Sequence, residues 1–228
     1  MFTPQQVLKF PVYVWEVPVR IWHWTMALCM VVLWVTGYFI ASPPSSVPGE
    51  AIDNFLMGYI RFAHFAAAYI FTCMFLMRIY WAIVGNKYAR EIFLVPLYML
   101  KPAWWKDFFR VVGHYLFLRR ADQHIGHNPL AMVAMFSMYV LGSVFLIITG
   151  FALYGEGLGR ESWAFKLFSS WVIPLFGQSQ DVHTWHHLAS WFVLWFTMVH
   201  MYFAVREDLT SGLTVIGSMI NGWRRAKD

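Results

Sequence analysis

Four stretches of this 228-residue chain stay apolar long enough to cross a lipid bilayer, and nothing else in the sequence constrains the fold as strongly. They run over residues 21–41, 59–84, 129–154 and 185–205. Each reaches the ~20 residues that span ~30 Å of hydrocarbon at ~1.5 Å per residue. The first is stopped by SPPSSVPG (42–49), a cluster of helix breakers, and the second by Gly85 and Asn86. The third starts at Pro129, a residue suited to the first turn of a helix. Charged residues make up only 13% of the chain, against roughly 25% in soluble domains. The pattern predicts an all-α integral membrane four-helix bundle, with residues 1–228 forming a single transmembrane domain.

Two further apolar segments are poor spanners. Residues 91–118 are interrupted by Lys101, Pro102, Lys106, Asp107 and Arg110. They predict an amphipathic surface segment with Trp104 and Trp105 at headgroup level. Residues 163–176 hold Lys166 and Pro174 and predict a short interfacial helix on the other side. The N-terminal segment MFTPQQVLKFPVYVWEVPVR lacks the layout of a cleaved signal peptide, so the first apolar helix is expected to remain as an anchor.

Charge orients the bundle. The net charge is +5, but the basic residues lie at the ends and in one loop rather than on a face that would follow nucleic acid. Lys87, Arg90, Lys101, Lys106, Arg110, Arg119 and Arg120 crowd residues 85–128, against Glu91, Asp107 and Asp122. Arg206, Arg224, Arg225 and Lys227 follow the last span. Residues 42–57 have no Lys or Arg, and residues 155–181 have only Arg160 and Lys166. The positive-inside rule then places both termini and the 85–128 loop in the cytoplasm.

Ionisable side chains are costly inside a bilayer, and here they are mostly histidines. With the chain so oriented, His23 and His200 lie toward the cytoplasmic side, and His64 and the His183, His186, His187 group toward the outer side. Two depth-matched pairs on different helices are what two bis-histidine haem sites require. Phase selects within the group. At ~100° per residue, a step of 14 returns to the same face, and His186 precedes His200 by 14. His187 and His183, 13 and 17 residues before His200, do not share that face and read as solvated polar residues at a helix end. His186 and His200 are then about 21 Å apart along the axis, a spacing for two stacked haems. The same step links His23 to Gly37 and His64 to Arg78. Gly37 facing a haem leaves room for the macrocycle, and Arg78 can meet a propionate. Gly142 and Gly150 can likewise admit a haem edge, although glycine also serves plain helix packing. Histidines in two separated groups, with no carboxylate beside them in the spans, fit a zinc or di-iron centre poorly.

The two cysteines, Cys29 and Cys73, form no CxxCH or iron–sulfur pattern and read as small buried side chains, so any haem is held non-covalently. His124 and His127 in DQHIGHNPL stand just before the third span, where a quinone head group can dock and exchange protons. The competing reading of that stretch is a helix cap, with Asn128 before Pro129. Arg206, beside Glu207 and Asp208, is either part of that site or a surface ion-pair cluster.

At these residues the sequence resembles the b-type cytochrome subunits of membrane-bound nickel–iron uptake hydrogenases. The matching stretches are PVRIWHW (18–24), VTGYFI (35–40), MGYIRFAHF (57–65), MRIYWAIVGNKY (77–88), IGHNP (125–129), IITGFALY (147–154), DVHTWHHL (181–188) and VHMYFAVRED (199–208). The resemblance implies a multi-pass subunit of the bacterial inner membrane. It implies electron transfer from the iron–sulfur clusters of a hydrogenase small subunit, through two haems b, to a membrane quinone. The small subunit's own C-terminal transmembrane helix would pack beside this chain, with the large subunit beyond it. By resemblance, His64 and His186 bind the outer haem and His23 and His200 the inner one. The chain lacks the paired CxxC motifs of a nickel site, so it would not itself split hydrogen, although it can carry the quinone-reduction site. Two alternatives stay open at this level: a cytochrome b subunit of another periplasmic dehydrogenase such as formate dehydrogenase, and a haem-free anchor or proton-conducting membrane protein.

Overall fold

The computed structural model describes residues 11–45, 50, 54–116, 118 and 124–225. The first ten residues, the second half of the breaker cluster, Arg119, Arg120, Asp122 and Lys227 lie outside the described residues. The chain is helical almost throughout. A short strand β1 (Val12–Tyr13) leads into α1 (Val17–Ala41) and α2 (Leu56–Val84). The short helices α3 (Val95–Tyr98) and α4 (Pro102–Tyr115) follow. Then come α5 (Pro129–Leu158), α6 (Phe165–Phe176) and α7 (Ser179–Thr210). A final turn α8 (Ser218–Asn221) leads into β2 (Trp223–Arg224). Helix α5 contains a π-helical stretch at Met135–Val140, and α6 opens on another at Phe165–Ser169.

Helices α1, α2, α5 and α7 hold the four predicted spans. They are 25, 29, 30 and 32 residues long, with mean hydropathy of 1.6 to 2.3 in their apolar windows. Only 11–22% of each window is buried within the protein. Apolar surface left outside on this scale requires lipid as solvent, and the chain is a multi-pass membrane protein. On α1, Trp22, Met26 and Cys29 are buried while Ile21, Leu28, Val31 and Val35 are exposed, two opposed stripes at helical spacing. Helices α1 and α7 extend past the apolar limits read from the sequence. Hydropathy reports the lipid-facing middle, whereas backbone hydrogen bonding carries α1 back to Val17 and α7 through Arg206, Glu207 and Asp208 to Thr210. Cys29 is buried, but Cys73 is exposed on α2, which corrects the expectation that both are packed inside. An apolar thiol on a membrane helix loses nothing by facing lipid.

The chain divides into two compact units, and each long helix contributes a segment to both. One comprises 21–78 and 145–191. Its core sets Ala152 of α5 and Val172 of α6 against Val182 of α7, with Ile148, Phe168 and Phe176 packed around them. Ser169 Oγ donates to the Ala152 carbonyl at 2.6 Å, pinning α6 to α5. Phe65 of α2 meets Tyr154 of α5 at 4.9 Å, and Trp34 of α1 meets Trp191 of α7 at 5.5 Å, both edge-on.

The other unit comprises residues 1–20, 79–144 and 192–228. Strands β1 and β2 pair antiparallel in it, Val12 opposite Arg224 and Tyr13 opposite Trp223. Trp15 Nε1 donates to Ser218 Oγ at 3.2 Å. Glu16 Oε2 accepts from Trp81 Nε1 at 2.9 Å and from the Asn86 amide at 2.8 Å, closing the end of α2. The 91–118 segment forms α3 and α4, with Pro102 opening α4. Trp104 stacks on Phe108 at 5.5 Å, and Trp105 Nε1 donates to the Met99 carbonyl.

Candidate functional site

Two histidines of the first unit are gripped in the same way. His64 on α2 places Nδ1 2.8 Å from Thr36 Oγ1 on α1. His186 on α7 places Nδ1 2.8 Å from Thr149 Oγ1 on α5. A glycine follows each threonine. A Cβ on Gly37 would lie 3.3 Å from His64 Cε1, and one on Gly150 would lie 3.2 Å from His186 Cε1. These contacts are tighter than most Cβ contacts, so a side chain at either glycine would press on the ring and shift it by a few tenths of an ångström. Both imidazoles thus have Nδ1 tied to a neighbouring helix. Thr36 and Thr149 were not singled out in the sequence. The available signal was the repeated Thr-Gly dipeptide in VTGYFI and IITGFALY, hidden because threonines in membrane helices commonly bond their own backbone.

Gly37, matched to His23 by phase, sits against the His64 ring. Gly142 faces Val193 and serves helix packing. Arg78 is 1% exposed, its guanidinium 5.1 Å from the centre of the Trp22 ring. His23 stands edge-on to Trp24 at 5.0 Å. His200 belongs to the other unit and stacks on Phe196 at 5.8 Å. His187 accepts a hydrogen bond at Nε2 from Trp191 Nε1 at 2.9 Å, and His183 Nδ1 meets the Ser179 carbonyl at 3.0 Å. Both are exposed near the start of α7.

The polar stretch before α5 is knotted in the second unit. Glu91 Oε2 accepts from the His127 amide at 2.9 Å and lies 3.2 Å from its Nδ1, with the Trp15 ring 4.9 Å away. His124 Nε2 lies 3.1 Å from Asp107 Oδ2. Arg224 Nη1 donates to the Ile125 carbonyl at 2.6 Å and to the Gly126 carbonyl at 3.1 Å. Asn128 caps α5, accepting from the Ala131 amide at 2.8 Å. Arg206 sits over the Tyr115 ring at 5.1 Å. Burial pushes the Tyr115 hydroxyl above its ordinary range, the Glu207 carboxylate adds to the rise, and Arg206 opposes it.

A family model for the prokaryotic cytochrome b561 proteins matches residues 14–222. The chain belongs to that family. Among its relatives is the "Probable Ni/Fe-hydrogenase B-type cytochrome subunit" of Azotobacter vinelandii, 60% identical over 218 residues, 95% of this chain and 90% of the relative. The protein of the same name from Cupriavidus necator is 55% identical over 217 residues, 95% of this chain and 88% of the relative. The "Probable Ni/Fe-hydrogenase 1 B-type cytochrome subunit" of Escherichia coli K12 is 50% identical over 220 residues, 94% of this chain and 91% of the relative.

Membership of the cytochrome b561 family implies b-type haem. The His64 and His186 pair fits that group by the chemistry of its donors. Both are imidazoles anchored through Nδ1 on membrane-spanning helices, which leaves the opposite nitrogen, Nε2, of each as the one that would hold haem iron.

Proposed function

We propose that this cytochrome is the electron-transfer and anchoring subunit of a membrane-bound Ni/Fe hydrogenase, delivering electrons to the quinone pool. The observation that carries the reading is near-complete alignment, at 50–60% identity, with relatives named as hydrogenase b-type cytochrome subunits. His64 and His186 hold one haem, and His23 and His200 hold a second. Haem supplies a one-electron couple between iron(III) and iron(II). The protein's own part is to fix the imidazoles, exclude water and supply protons. Apolar spans keep bulk water from the histidines. Gly37 and Gly150 let the His64 and His186 rings seat, and Arg78 balances a propionate. Both chain termini and the 85–128 segment face the cytoplasm. Electrons enter on the opposite side, from the iron–sulfur clusters of the hydrogenase small subunit, whose C-terminal helix packs alongside. The quinone head group is met by His124, His127 and Arg206. Histidine suits proton exchange there because its two ring nitrogens can each donate or accept a hydrogen bond.

Substitution of His200 tests this assignment in the complex purified with its nickel-containing partner. His200→Ala should remove one haem per chain and stop quinone reduction, leaving the other haem reducible by hydrogen. Undiminished haem content in His200→Ala would overturn the ligand assignment. A chain with no b-type absorbance in a reduced-minus-oxidised spectrum would overturn the whole reading.

A further inference from the structure

The two threonines beside the histidine rings do more than fill space. A threonine hydroxyl carries one hydrogen and two lone pairs. Thr36 Oγ1 donates to the Val32 carbonyl, one turn earlier on α1, at 2.6 Å. Thr149 Oγ1 donates to the Phe145 carbonyl on α5 at 2.8 Å. A carbonyl oxygen can only accept, so in both residues the single hydroxyl hydrogen is committed to the backbone. What each oxygen offers to the histidine nitrogen 2.8 Å away is therefore a lone pair. Nδ1 must carry the hydrogen of that bond. A neutral imidazole has one N–H, so Nε2 is left with the free lone pair that iron binds.

The arrangement occurs twice with nearly the same dimensions. The threonine-to-Nδ1 distance is 2.8 Å at both rings. The glycine that follows faces Cε1 at 3.3 Å in one and 3.2 Å in the other, and Nδ1 at 3.8 Å and 3.9 Å. Thr72 makes the same bond to its own helix, to the Ala68 carbonyl at 2.8 Å, and supplies a comparison position on α2.

We infer that Thr36 and Thr149 are positioning residues: each fixes the Nε2-ligating tautomer of its histidine and, by accepting from Nδ1–H, lowers the reduction potential of the haem the two histidines share. An acceptor on Nδ1 raises the basicity of the ligating nitrogen, which favours iron(III). The inference rests on the assignment of His64 and His186 as ligands of one haem. The bond is present in both oxidation states, so only its difference between iron(III) and iron(II) moves the potential. A whole hydrogen bond of about 1 kcal/mol, a roughly fivefold shift or about 40 mV at ~59 mV per tenfold for one electron, is the ceiling.

The experiment is a potentiometric titration of the purified complex, following the reduced haem absorbance in Thr36→Val, Thr36→Ser, Thr149→Val, Thr149→Ser and Thr72→Val. Valine keeps the shape of threonine and loses the hydroxyl, and serine does the reverse. Thr36→Val and Thr149→Val should each raise the potential of the same haem component, and the double variant should add the two shifts. The serine variants and Thr72→Val should titrate as the wild type. Loss of that haem in the valine variants with retention in the serine variants also supports the inference, because the hydroxyl and not the shape is then required. Valine variants that leave the potential unmoved would overturn it. So would serine variants that shift the potential, or lose the haem, as fully as valine, since shape would then be what matters. His64→Ala separates the two layers. If it removes the component that Thr36→Val leaves unmoved, the threonine role alone fails. If His64→Ala retains the component, the ligand assignment beneath it fails.

Discussion

Replacing Gly150 by alanine separates the folding of α5 from the seating of the imidazole beside it. The new Cβ would stand 3.2 Å from His186 Cε1, so the ring must give by a few tenths of an ångström. Swung about its own Cβ, that is a rotation of roughly 5°, far below the ~30° excursions that cost about 1 kcal/mol. Alanine in a helix interior meanwhile gains up to ~1 kcal/mol over glycine. The fold therefore loses nothing. Iron coordination is less forgiving, because ligand distances are held to within about 0.2 Å and Nε2 moves with the Cε1 to which it is bonded. Gly157 is the matched comparison on the same helix, since a Cβ there meets nothing within 4 Å. Thermal unfolding and haem per chain are measured together. Gly157→Ala should keep both at or above wild type. Gly150→Ala should keep the unfolding midpoint of the haem-free protein while losing haem from the His64 and His186 site. Full haem content in Gly150→Ala, with an unshifted potential, would refute the reasoning.

Two stability predictions concern the polar end of the molecule. Asn128→Ala removes the acceptor for the Ala131 amide at the start of α5 and should cost about 1 kcal/mol. Thermal unfolding should register that loss with haem content intact, and Asn128→Asp should restore it. Arg224→Leu removes the donor that holds the carbonyls of Ile125 and Gly126 at 2.6 and 3.1 Å. Bonds to a charged donor contribute about 1.5–3 kcal/mol, so the His127 amide should exchange its hydrogen measurably faster. Exchange at the wild-type rate would show that Glu91 alone holds that segment.

The spans were legible because the bilayer imposes a length and a polarity on any helix that crosses it, and α2 stops at Val84, where Gly85 and Asn86 predicted a stop. The Asn128 cap was legible because it is local, needing only an oxygen, a proline and the next turn. Helix direction and residue number order height in a bundle, which is why depth set His64 beside His186 as an expectation, and both fall in one compact unit. What sequence could not supply was lateral neighbourhood. Counting 14 residues from His23 leads to Gly37 along α1, yet which ring lies against Gly37 is decided by α2, and it is His64. The threonines escaped for the same reason: their bonds to Val32 and Phe145 are visible along one helix, whereas their bonds to imidazoles exist only between two. The β1–β2 pair has no sequence signal either, since two residues of strand carry no periodicity.

That small strand pair sets a timetable. Trp15 and Ser218, which it brings together, are 203 residues apart in the chain. For a free chain, closing such a loop costs about 5 kcal/mol, so this contact forms only after intervening helices have shortened the path. The unit holding His64 and His186, by contrast, contains no residue beyond Trp191. During synthesis from the N-terminus, every residue of that unit emerges before Phe192, while Trp15 still waits for its partner. The Thr-Gly grips on the two imidazoles can thus be assembled first, and the joining of β1 to β2 becomes a mark that synthesis has passed Arg224.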